Sequence, residues 1–172
     1  MAAVIIRPAT AEDLDAVAGI YAHYVRHTVA TFEETPPGVG DWERRLADLA
    51  GRDLPFLVAE CSGAVAGFAY AAPWRPKPAY RYTVENTIYL DPGATGRGLG
   101  AALLDALVTA CARAGMRRMI AVISDTGDGA SLALHRRFGF TDAGRLVEVG
   151  RKHGRWIDTY LLQRELGAGE LG

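Results

Sequence analysis

The chain has 172 residues, 49% hydrophobic and 23% charged, with a formal net charge of -1. That length suits one domain with its own core, and near-neutrality with scattered basic residues gives no footprint for nucleic acid or an anionic membrane. No apolar run approaches the roughly 18 residues of a membrane span, and Met1–Asp13 lacks a signal peptide's apolar core. Cys61 and Cys111 are isolated and show no metal or disulfide spacing, so the reduced cytoplasm is the expected compartment.

In chain order, Val4–Ile6 reads as a first strand. Thr10 with Asp13 forms a capping-box pattern ahead of Leu14, Val17, Ile20, Tyr21, Tyr24 and Val25 at helical spacing, and that helix should end near Arg26–Thr28. Thr28–Glu33 reads as a shaped loop. Asp41 is placed as the cap of a second helix, with Trp42, Leu46 and Leu49 inside and Glu43, Arg44, Arg45 and Asp48 outside. Pro55–Glu60 and Ala64–Tyr70 make a hairpin about Cys61-Ser62-Gly63. Ala71–Tyr80 contains Pro73, Pro76 and Pro78 and is expected to be irregular.

Tyr82–Leu90 is the next strand. The helix after it carries Leu99, Leu103, Leu104, Leu107, Val108 and Cys111 on one side and stops at Gly115. Arg117–Ile123 is a strand and Asp128–Phe138 a helix with Gly139 as its C-cap. Phe140–Val149 and Trp156–Leu162 pair around His153-Gly154. The order βααβββαβαββ implies an α/β (α+β) fold, one mixed sheet with helices on both faces. Residues 1–166 are expected to form a single domain, with 167–172 as a frayed tail.

The centre of this pattern is Tyr82–Ala101, a strand, a glycine-dense turn and a helix start. Such a passage aims backbone N–H groups and the positive helix end at one point, which suits a phosphate. The turn lacks the Gly-Lys-Ser/Thr ending of a P-loop, and Gly96, Gly98 and Gly100 do not give the dinucleotide spacing GxGxxG.

Arg97-Gly98-Leu99-Gly100-Ala101 resembles the core of the acetyl-CoA loop, Q/R-x-x-G-x-G/A, of the GCN5-related N-acetyltransferase superfamily, with Thr95 at the motif's first position. Asp128, Ser131, Leu134, His135, Gly139 and Phe140 resemble the later N-x-x-S-x-x-L-H-x-x-x-G-F segment, with Asp in place of Asn. His23-Tyr24, Thr28–Phe32, Tyr70–Trp74, Val84–Tyr89 and Lys152-His153-Gly154-x-Trp156-x-Asp158 look like phosphinothricin and methionine sulfoximine N-acetyltransferases. The resemblance runs from about Ile5 to Leu162. It implies the acyl-CoA N-acyltransferase fold, a seven-stranded mixed sheet with about four helices that splays open beside the glycine loop. It also implies acetyl-CoA as cosubstrate, a small amino acid analogue as acceptor, no metal, and a homodimer.

Acetyl transfer needs a neutral amine. One with a pKa near 8 is only about a tenth neutral at pH 7, a penalty of roughly 1.4 kcal/mol that a nearby carboxylate can remove. Glu85 is placed for this, and the resemblance implies the same role. His135 stands where many superfamily members carry the tyrosine that protonates the leaving thiolate; histidine or water could supply that proton. Cofactor contacts are expected from Ile88, Tyr89, Leu90, Gly96, Arg97, Gly98, Leu99, Gly100, Ala101, Asp128, Ser131 and His135. Substrate contacts are expected from Phe32, Trp74, Arg75, Lys77, Tyr80, Arg81, Glu85, Asn86, Thr87 and His153, with the cations suited to a carboxylate or phosphinate.

Overall fold

Local capping chemistry starts the first two helices. In the computed structural model, which describes residues 3–167, the Asp13 carboxylate accepts the Thr10 N–H at 2.8 Å and closes the 3-10 turn Ala11–Asp13 that leads into α1 (Leu14–His27). Arg7, on β1 (Val4–Pro8), grips the same carboxylate at 2.8 Å and holds its pKa down at about 2. Helix α2 (Val39–Gly51) begins earlier than its sequence suggests. Gly38 is the N-cap, and Asp41, in the first turn, reaches back to accept the Gly38 N–H at 2.9 Å. Arg45 is exposed, as expected, and its guanidinium reaches over the rings of Trp42 and Tyr70.

Strands β2 (Phe56–Cys61), β3 (Ala64–Pro73), β4 (Thr83–Leu90), β5 (Arg118–Ser124), β6 (Thr141–Lys152) and β7 (Arg155–Glu165) complete a seven-stranded sheet of order β1-β2-β3-β4-β5-β7-β6. All neighbours are antiparallel except β4 and β5. Strand β3 corrects the expectation of an irregular stretch from Ala71: Ala71, Ala72 and Pro73 pair with Asn86, Glu85 and Val84, and Pro78–Tyr80 forms a turn of 3-10 helix. A proline at the last position of a strand costs the ladder little.

Alternation along β3 and β4 separates two faces. Phe68 packs edge-on against Trp42 of α2, and Tyr89 packs against Tyr21 and Tyr24 of α1. The opposite face meets α3 (Leu99–Arg113), which approaches closely because Gly67 has no side chain: a Cβ there would lie 2.7 Å from Leu90 and 3.3 Å from Leu103. Leu103, Leu104, Leu107, Met119 and Phe68 are fully buried between these layers. Leu166 closes the C-terminal end, its N–H bonded to the Arg117 carbonyl at 3.0 Å. Of the expected tail, residues 168–172 lie outside the described residues.

Candidate active site

The site exists because β4 and β5 part company. Their parallel pairing covers Thr83↔Arg118, Val84↔Met119 and Glu85↔Ile120 and goes no further. Beyond that point β4 pairs only with β3 and β5 only with β7. An open strand edge presents unpaired N–H and C=O groups, which a ligand carrying amides can complete. The opening is a cleft of about 390 Å³ bounded by Glu85–Leu90, Val122–Ser124, Gly100 and the α4 residues (Ala130–Arg137) Ser131, Leu134 and His135.

At one end of the cleft lies the glycine turn. Gly96 and Gly98 have φ of 75° and 79°, a conformation that L side chains rarely adopt, and a Cβ on either would meet open space. Side chains are therefore kept off a concave backbone whose Leu99, Gly100 and Ala101 N–H groups lie in the first helical turn, free of intrahelical partners. Arg97 is exposed beside it. Leu99 contributes only its backbone, because its side chain is 1% exposed in the core. Asp128, just ahead of the Gly129 N-cap of α4, accepts the Ala130 N–H at 2.9 Å at a helix end where negative charge is favoured.

Strand alternation sends Glu85 and Asn86 to opposite faces. Asn86 points toward α4, where its Nδ2 donates to His135 Nε2 at 3.1 Å, and His135 Nδ1 donates to the Ser131 carbonyl at 2.7 Å. Burial drives the imidazole pKa down, the Ser131 bond opposing it, so the ring is neutral and its one N–H hydrogen is committed to Ser131. Both ring nitrogens of the expected proton donor are thus occupied, by Asn86 and by Ser131. Glu85 and Thr87 share the α1/α2 face with Tyr70 and Ala72. Burial raises the Glu85 pKa and the nearby Arg75 charge partly restores it.

The remaining expected substrate residues do not all converge. Trp74, Arg75, Lys77 and Arg81 line a second cavity of about 600 Å³ with Arg52, Val84 and Met116, and Arg81 is partly committed to the Pro78 carbonyl at 2.7 Å. Tyr80 is exposed. Phe32 lies against Gly150 of β6, and His153 sits exposed at the tip of the β6–β7 hairpin with φ of 50°. Tyr24, expected in the packed stripe of α1 and among the segments that carry the resemblance but not as a site residue, is a wall of the cleft; its hydroxyl donates to the Leu90 carbonyl at 2.5 Å.

Residues 6–161 match the family model described as an acetyltransferase (GNAT) domain. The chain belongs to the GNAT acetyltransferase family. It is 46% identical over 165 residues to a phosphinothricin N-acetyltransferase of Alcaligenes faecalis, covering 96% of this chain and 84% of that protein. It is 38% identical over 162 residues to an L-methionine sulfoximine/L-methionine sulfone acetyltransferase of Pseudomonas aeruginosa, covering 94% of each. A crystal structure of a GNAT superfamily phosphinothricin acetyltransferase from Sinorhizobium meliloti, in complex with acetyl-CoA, superposes with a TM-score of 0.93 at 45% identity. That match covers 98% of this chain and 91% of that one. This GNAT chain is accordingly an acetyl-CoA-dependent N-acetyltransferase, and its open strand edge and side-chain-free glycine turn fit a pantetheine arm and a pyrophosphate. Among the described residues, no cluster of three or more His, Cys, Asp or Glu could hold a metal ion, and no helix is long and apolar enough to cross a membrane.

Proposed function

We propose that the protein acetylates the α-amino group of a small amino acid analogue such as phosphinothricin, methionine sulfoximine or methionine sulfone. The observation that carries this reading is Glu85, half-buried where the two central strands separate, with a pKa raised by burial and an arginine near it. A carboxylate so placed is a better base for an ammonium than one in water, because its pKa moves toward the operating pH. The names of the relatives, at 46% and 38% identity, support the substrate class.

Acetyl-CoA, when bound, supplies an activated thioester carbonyl. Glu85 takes the ammonium proton, directly or through one water, and Thr87 shares its face. Backbone N–H groups at Ile88 and Leu90, which alternate onto the open edge while that of Tyr89 faces β3, orient the carbonyl. Neutral His135 holds Asn86 in place, and water provides the proton for the departing sulfur. Capping the amine removes the charge by which such an analogue mimics an amino acid, which gives resistance to it.

A cytoplasmic homodimer completes the proposal. Its support is β6, an outer strand that exposes Leu146, Val147 and Val149, with Trp156 beside them on β7; an apolar edge of this kind is ordinarily covered. The test is product mass spectrometry after incubation with acetyl-CoA and phosphinothricin, methionine sulfoximine, methionine sulfone, glutamate or a lysine peptide. Acetylation of the sulfur or phosphorus analogues is expected. Acetylation of the peptide alone would replace this reading with a protein acetyltransferase.

A further inference from the structure

Arg45, exposed on α2, reaches back over two aromatic rings, and no role is assigned to it by the chemistry above. Its guanidinium lies 5.0 Å from the Tyr70 ring centroid and 5.7 Å from that of Trp42, joining α2 to β3. Tyr70 pairs with Thr87, so it stands one strand over from the residue that shares Glu85's face. The Tyr70 hydroxyl is raised in pKa by burial, eased by Arg45, and raised further by Glu85 and Glu33, which places it within electrostatic reach of all three charges.

Arg45 differs from two of the other ring-stacked arginines. Arg145, over Tyr160, is paired with Asp158, and Arg81 gives a donor to a carbonyl. Arg45 makes no ion pair and no side-chain hydrogen bond among the described residues. A guanidinium lying on an aromatic face keeps its N–H donors directed outward in its plane, fixed for a two-pronged bond to an oxyanion. On the other side of Glu85, Arg75 has the same construction: stacked 4.7 Å over Trp74 and free of any carboxylate within pairing distance. An amino acid acceptor brings an ammonium flanked by oxyanions; on the acceptor face Arg75 acts on Glu85, and Arg45 reaches the same face through the Tyr70 ring.

Resting on the amino acid reading of the acceptor, we propose that Arg45 is a specificity-determining residue that clamps an oxyanion of the acceptor, a carboxylate or a side-chain phosphinate. Exposed on α2 and stacked rather than buried, it can be replaced without opening the core.

The test compares Arg45→Met and Arg45→Lys with wild type on phosphinothricin, methionine sulfone and the amine that methionine sulfone leaves on decarboxylation. Loss of a two-pronged charged contact is expected to raise KM on the order of 10- to 100-fold, with kcat and acetyl-CoA affinity little changed and partial recovery in Arg45→Lys. A rise for both amino acids and not for the amine identifies the carboxylate. A rise for phosphinothricin alone identifies the phosphinate. Unchanged KM for both amino acids, or an equal loss of kcat on all three acceptors, overturns the proposal while the acceptor class stands. Wild-type protein inactive on all three overturns both together.

Discussion

Replacing His135 by leucine separates its two conceivable roles. The ring is 4% exposed, bonded to Asn86 at 3.1 Å and to Ser131 at 2.7 Å, and packed edge-on against Phe140 with centroids 5.0 Å apart. Leucine keeps most of the volume but strands the buried Asn86 amide, which costs about 1–3 kcal/mol, and the lost edge contact adds about 0.5–1.5 kcal/mol. The expected loss is about 2–4 kcal/mol in urea titration, or roughly 4–16 °C in Tm for a domain of this size. The partner test is the double variant His135→Leu/Asn86→Leu, expected to recover part of that loss because no polar group is then stranded. In kcat/KM, His135→Leu is expected to lower activity through displacement of β4 while keeping the shape of the pH profile. Unchanged stability, or selective disappearance of one limb of the profile, would refute a neutral positioning imidazole and restore a proton donor.

Other outcomes follow from the same geometry. Arg75→Gln removes the charge that lowers the Glu85 pKa against burial, so the acid limb of kcat/KM should move to higher pH; a downward move would contradict the placement of these two groups. Gly98→Ala forces an L side chain to φ 79° and should cost about 1–2 kcal/mol and raise KM for acetyl-CoA with little effect on the amine. Gly67→Ala drives a Cβ to 2.7 Å from Leu90 and 3.1 Å from the Tyr89 carbonyl; overpacking of this kind costs about 1–3 kcal/mol and should be read in both Tm and acetyl-CoA affinity. Asp13, with its pKa lowered to about 2 chiefly by Arg7, stabilises the fold above the ordinary carboxylate range and loses that contribution as pH falls from about 4 toward 2. Arg7→Gln should therefore flatten this part of the acid-unfolding curve.

What the sequence revealed, and what it hid, divides along the line between local and distant causes. Thr10 with Asp13, the glycine turn and Gly139 with φ of 83° act within a few residues of themselves, so the elements they bound are legible from composition alone. The extension of β3 through Ala71–Pro73 is decided by β4, thirteen or so residues away in the ladder, and the density of prolines outweighed it in a local reading. Arg45 lies outside, as its charge indicates, but the reach of its guanidinium over Trp42 and Tyr70 was hidden because those rings come from two elements. Glu85 and His135 were both recognisable by motif, but the reversal of direction between residues 85 and 86, which gives one to each face, emerges only with the strand. Spread of the substrate candidates over a cavity, a loop and a hairpin tip was likewise invisible in their clustering along the chain.

The most direct measurement is the pH dependence of kcat/KM for wild type and Glu85→Gln at saturating acetyl-CoA, using whichever amino acid analogue the wild type acetylates. The wild-type rate should fall on the acid side through one ionisation above the ordinary carboxylate range, in keeping with the raised pKa of Glu85. Glu85→Gln should lose that limb and about 10²–10⁴-fold in rate while binding acetyl-CoA as before. Full activity of Glu85→Gln across pH 6–9 would contradict the account, because the amine would then reach its neutral form without the carboxylate placed to receive its proton.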